Sequence, residues 1–115
     1  MIKVGIIGYG KMGKIRHSAT DAIKGVQVIS AYDSANIEAN IDIAETSDQI
    51  INNSEIDAVF ICTPNYLNKP LTIQSLKAGK HVFCEKPPAF TAKDIKEIRI
   101  VEKESGKVLM YGFNH

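Results

Sequence analysis

A doubly wound α/β domain, a parallel sheet of about six strands, is the fold this sequence predicts. Three observations carry that expectation. Short β-branched apolar runs alternate with stretches of helical spacing along the whole chain. Those runs are apolar without strict alternation, as strands buried on both faces are. The first run ends in three glycines, Gly8, Gly10 and Gly13, set just before a helix. A length of 115 residues suits one compact domain, 1–115.

Each element has its own signal. Residues 2–8 read as the first strand, and Ile15, Ala19, Ala22 and Ile23 then recur at helical spacing until Gly25 ends the helix. Residues 26–33 are a second strand. The weakly patterned 34–46 holds at most a short third strand around Ile41 to Ala44, and Ser47 caps a brief helix through Ile51. The strand at 57–64 stops at Pro64, which cannot donate to a ladder. Leu67, Leu71, Ile73 and Leu76 mark the next helix, closed by Gly79, and 80–87 is another strand. Thr91 and Asp94 form a capping box, Ile95, Ile98 and Val101 line one helical face before Gly106, and 107–113 is the last strand.

Composition narrows the function classes. Fourteen basic residues stand against 13 acidic ones, a formal net charge of +1, and the basic residues are scattered. Such a chain offers no field for a nucleic-acid backbone or an anionic membrane surface. The N-terminus lacks the long apolar region of a secretory signal, and no run approaches the ~20 apolar residues of a membrane span. Cys62 and Cys84 lie in apolar runs rather than in a C-x-x-C, so a reduced cytoplasmic protein with two buried thiols and no metal is expected.

The glycine cluster carries the chemistry. Glycines right after a strand, opening a helix, with an acid ~20 residues further on, are the signature of a dinucleotide site. Here Asp33 closes the second strand, twenty residues past Gly13. Gly8 allows the tight turn, Gly10 lets a pyrophosphate approach the backbone, and Gly13 lets the helix sit close to the sheet. The helix start favours a dianion, and Asp33 can accept from a ribose diol. A plainer reading, in which the glycines only turn the chain and Asp33 is a solvated strand end, explains neither the acid nor its spacing. Methyltransferases usually carry an acid just before the first glycine, where this chain has Ile7. Asp33 would repel a 2′-phosphate and no basic residue follows it up to Asn53, so NAD is expected over NADP. Tyr9 and Met12 complete the loop, Tyr9 either packing on the cofactor or filling space. Lys11, Lys14, Arg16 and His17 are expected mostly on the helix's solvated face, with Lys11 near enough to reach the phosphates. His81 reads as structural.

Three later stretches sharpen this reading: "DAVFICTPNYLN" (57–68), "AGKHVFCEKP" (78–87) and "VLMYGFNH" (108–115). With the glycine loop, they make essentially the whole chain resemble the N-terminal Rossmann domain of the Gfo/Idh/MocA (glucose–fructose oxidoreductase/inositol dehydrogenase) family. The resemblance implies hydride transfer between a nicotinamide and a sugar, polyol or related compound. It implies that Thr63, Pro64 and Asn65 form the loop beside the cofactor's ribose and pyrophosphate. Glu85 would bond the nicotinamide ribose, and Lys86 would sit near the reacting carbon. Pro87 would fix the turn that aims Lys86, and Asn114 would lie close to the nicotinamide. An ammonium at that strand end can stabilise developing alkoxide charge and help proton transfer. Two positions depart from the family pattern: Asn68 stands where many relatives have His, and Pro88 where an aliphatic residue is usual.

The resemblance also implies a second, larger domain that forms the substrate pocket, and the 115 residues are expected to lack it. The chain is therefore read as the cofactor half of a dehydrogenase, binding cofactor without turnover by itself. A stand-alone NAD(H)-binding or redox-sensing module is the alternative, and a remnant that folds but binds nothing is a third. Lys86 favours the enzyme. Self-association through a sheet edge or face normally covered is a further expectation.

Overall fold

In the computed structural model, which describes residues 1–63, 65–85 and 91–112, the first strand β1 (Ile2–Ile7) lies at the middle of a six-stranded sheet. Its partners are β2 (Val26–Tyr32) on one side and β4 (Ala58–Ile61) on the other. β3 (Asp42–Ile43) flanks β2, while β5 (His81–Glu85) and β6 (Leu109–Gly112) follow β4. All pairings are parallel and the order is β3-β2-β1-β4-β5-β6. The expected fold class is therefore the observed one.

The pleat of β1 sorts its side chains onto two faces. Val4 and Ile6 join Val28 and Ala31 on the face covered by helix α1 (Lys11–Asp21). Ile7 joins the larger core on the other face, with Ile50 and Ile51 of α2 (Ser47–Ile51), Leu71 and Leu76 of α3 (Asn65–Lys77), and Ile98 of α4 (Ala92–Ser105).

Several local expectations are corrected. α1 ends at Asp21, short of the expected Gly25, so Ile23 lies beyond it and is exposed, as is Ile15 on the helix; α1 buries Gly13, His17 and Thr20. Close approach at Gly13 turns that face to the sheet, and polar partners make His17 acceptable there. α2 is capped by Thr46, not Ser47: the Thr46 hydroxyl accepts from the Gln49 amide at 3.2 Å. α3 begins at Asn65 and presents Asn68, Leu71, Thr72, Ser75 and Leu76 to the interior, leaving Leu67 exposed and Ile73 half-buried. On α4 the Thr91/Asp94 capping box forms as expected and Ile98 is buried, but Ile95 is exposed. Lys80 precedes β5 instead of opening it. Its buried ammonium donates to the carbonyls of Asn53 and Ile56 at 2.7 and 2.6 Å, closing the α2–β4 connection.

Gly8 is a point of close backbone approach with a left-handed conformation. Its φ is +94°, and a Cβ there would stand 2.6 Å from the Cys62 carbonyl oxygen. Left-handed strain and backbone overlap combine, so Gly8→Ala should lower stability by about 2–4 kcal/mol. A urea unfolding midpoint equal to that of the parent would contradict this account.

Candidate functional site

The sheet order reverses between β1 and β4, so the loops leaving their carboxyl ends part and leave a crevice. It is a cavity of about 380 Å³ walled by Gly8 and Gly10 on one side and Cys62, Thr63 and Tyr66 on the other, with Asp33 at its end. A groove of about 450 Å³ runs along the outside of α3 between Lys69 and Lys77. It lies away from the strand ends, where ligands of open parallel sheets bind.

Each glycine of the loop answers to a different neighbour. Gly8 is demanded by its φ and by Cys62. Gly13 is demanded by the Gly8 carbonyl, into which a Cβ would run. Gly10 is demanded by nothing among the described residues: its φ is −81°, and an added Cβ would meet none of their atoms within 4 Å. Gly10 is also the N-cap of α1, and it supplies no side-chain cap; the first turn contains no acid. A helix start without its own capping oxygen or carboxylate leaves its positive end to an outside anion. The space over Gly10 and the uncompensated helix end fit a pyrophosphate.

Asp33 closes this loop from β2. Its Oδ2 accepts from the Tyr9 amide at 2.7 Å and its Oδ1 from the Ala35 amide at 2.9 Å. The carboxylate is thus fixed beside the glycines, and each oxygen retains a lone pair. The Tyr9 side chain is buried in the core under the loop, away from the crevice lining. Its hydroxyl meets His17 Nδ1 at 2.5 Å, while His17 Nε2 faces Asp21 Oδ2 at 3.0 Å. The Asp21 carboxylate selects the Nε2–H tautomer, so Nδ1 accepts from Tyr9. Tyr9 therefore fills space, and His17 leaves the expected solvated face to anchor the loop. Lys11 and Lys14 are exposed, and Met12 is half-buried.

On the β4 side, the Thr63 hydroxyl donates to Oδ1 of the fully buried Asn68 at 2.9 Å. Asn68, the departure from the family pattern, thus braces the loop after β4; its Nδ2 finds no partner among the described residues. Glu85, the last residue of β5, is buried and held by Arg16: Nε to Oε2 at 2.7 Å and a second guanidinium nitrogen to Oε1 at 2.9 Å. Arg16 was expected in solvent and is instead half-buried. The signal for both Arg16 and His17 was Gly13: residues three and four beyond a helix-packing glycine share its face. Tyr66, 79% exposed at the crevice wall, was also missed. Its signal was an aromatic in an otherwise polar helix start. Pro64, Lys86, Pro87 and Asn114 lie outside the described residues, as does Pro88, and Asn65 is described only as the first residue of α3. His81 is exposed and accepts from the Val108 amide at 3.1 Å, a structural bond. Among the described residues, no three His, Cys, Asp or Glu side chains gather to hold a metal, and no helix is long and apolar enough to cross a membrane.

Sheet order, glycine loop and strand-end acid define a dinucleotide-binding doubly wound domain. The chain belongs to the GFO_IDH_MocA family, whose model (oxidoreductase family, NAD-binding Rossmann fold) matches residues 2–113. An inositol 2-dehydrogenase of Salmonella agona is 32% identical over 97% of this chain and 37% of its own length. Among solved structures, an NAD-binding protein from Listeria innocua superposes with a TM-score of 0.87 at 34% identity, covering 96% of this chain and 34% of that one. A biliverdin reductase from Synechocystis, solved with biliverdin and NADP+, gives 0.85 at 31% identity, covering 96% and 37%. The chain spans about a third of the length of the curated relatives it matches over nearly all its residues.

Cys62 lines the crevice, yet it is a poor nucleophile. Burial, then the neighbouring Glu85 carboxylate, push its thiol up to about 12, and burial pushes Cys84 up to about 11. Both thiols should resist iodoacetamide at pH 8 in the folded chain and react fully in urea. The shift has a definite sign. The thiols' contribution to stability is complete below the ordinary value of 9.0 and is lost as pH rises towards about 12 for Cys62 and 11 for Cys84. Urea midpoints should therefore fall between pH 8.5 and pH 10.5; rapid alkylation of the folded chain at pH 8 would refute the burial argument.

Proposed function

We propose that this chain holds NAD(H) in the crevice between the β1 and β4 loops, as the cofactor-binding part of a dehydrogenase acting on a sugar, polyol or related compound. Gly10 carries the reading, because no contact among the described residues requires a glycine there. The pyrophosphate rests over Gly10 at the start of α1, and the two Asp33 oxygens accept from the adenosine ribose. Tyr66, exposed at the wall, offers its ring face to the adenine. Thr63, Pro64 and Asn65 border the ribose and pyrophosphate, Glu85 accepts from the nicotinamide ribose, and Asn114 flanks the nicotinamide. The nicotinamide, when bound, supplies and accepts the hydride. Lys86 bonds the substrate oxygen and stabilises the charge that develops on it. The substrate pocket comes from a second domain outside these 115 residues, as the relatives' greater length suggests.

NAD is preferred over NADP because a 2′-phosphate would lie against the Asp33 carboxylate, with Ser34, Ala35 and Asn36 offering no countercharge. The test is a fluorescence titration with NADH and NADPH. The parent chain should bind NADH at least about tenfold more tightly than NADPH, the cost of one unfavourable charge contact. Gly10→Ala should weaken NADH about tenfold or more by displacing a charge-bonded phosphate. Its unfolding free energy should change by only the ~0.5–1 kcal/mol of a changed N-cap. An unchanged NADH affinity in Gly10→Ala would refute the proposed seat, and equal affinities for the two cofactors would refute the preference.

A further inference from the structure

The two halves of the sheet carry acids at equivalent positions. In the first half, Ile7 at the end of β1 pairs with Tyr32, and the next residue along is Asp33. In the second half, Ile61 at the end of β4 pairs with Cys84, and the next residue along is Glu85. A doubly wound sheet receives one mononucleotide on each half across the switch point. If Asp33 serves the adenosine ribose, Glu85 stands in the corresponding place for the other ribose.

The two acids are held differently. Asp33 is fixed by amides of its own half, from Tyr9 and Ala35. Glu85 is fixed by a side chain from α1, Arg16, through the two-pronged bond at 2.7 and 2.9 Å. The guanidinium also lies over the Phe83 ring, 5.1 Å from its centroid, and Phe83 packs on Phe60 at 5.3 Å. Ring and carboxylate together fix the plane of the fork. This side-on pairing occupies one lone pair of each Glu85 oxygen and leaves the other free to accept.

We infer that Arg16 is a positioning residue for the nicotinamide half of the cofactor. It presents Glu85 as the acceptor for the second ribose, and, being on the helix whose start seats the pyrophosphate, it holds the two seats at a fixed separation. This inference rests on the nucleotide-binding reading above.

The test compares NADH with ADP, which has the adenosine and both phosphates but no second ribose, on this 115-residue chain. Arg16→Met should weaken NADH about tenfold, the loss of one charge-assisted bond. It should leave ADP affinity within about twofold, the scatter of a site not touched. Glu85→Gln should lower NADH affinity similarly, and the double variant should be no worse than Arg16→Met, since the two act as one unit. If Arg16→Met fails to fold, Arg16→Lys, which keeps the charge but loses the fork, should show the same selective loss at about threefold. Equal weakening of ADP and NADH would overturn the inference by placing the effect on the phosphates or the fold. Unchanged NADH affinity would also overturn it. A parent chain that binds neither nucleotide would instead overturn the binding proposal, and this inference with it.

Discussion

Three backbones converge at Gly8: β1 arriving, α1 leaving, and the end of β4 alongside. A Cβ at Gly8 would strike Cys62, and one at Gly13 would strike Gly8 itself. This double exclusion sets the depth of α1 against the sheet, and so the level of its N-terminus relative to the strand ends. Because the helix sits that low, its first turn opens onto the crevice between the β1 and β4 loops.

Under the crevice the chain uses polar bonds where packing alone would leave the loops free to shift. The Tyr9–His17–Asp21 chain ties the glycine loop to α1, and the Asp33 carboxylate ties it to β2. Thr63 and Asn68 secure the opposite loop. Arg16 links α1 to the end of β5. Two of these ties run through α1, which joins β1 and β2 by sequence and β5 by an ion pair. Buried polar groups are costly unless partnered, and their pairing holds Tyr9, His17 and Glu85 each in one arrangement.

The sheet was legible in the sequence because strands buried on both faces announce themselves as uninterrupted apolar runs, and because glycines and prolines punctuate them. The glycine loop and Asp33 were legible for a related reason: their spacing is local, within one β-α-β unit. What escaped was long-range or polar. Arg16 meets Glu85 across 69 positions, and nothing near either residue signals the other. The buried face of α1 is built on a glycine, a histidine and a threonine, so apolar periodicity pointed to Ile15 and Ile23, which face solvent. The same blindness affected α3, where Asn68, Thr72 and Ser75 occupy interior positions that hydropathy assigns to the surface.

The double engagement of Asp33 matters to anyone redesigning coenzyme choice in this chain. On the proposed seat, the carboxylate that would meet a phosphorylated sugar is also the tether for an amide inside the turn. Trading it for a small neutral residue would strand that amide and slacken the turn together with the selectivity. An isosteric carboxamide would shed the charge and keep an oxygen facing Tyr9, but would turn its NH2 towards the Ala35 amide. On that seat coenzyme choice and loop order become one design variable, and a replacement for Asp33 must keep acceptors for both tethered amides.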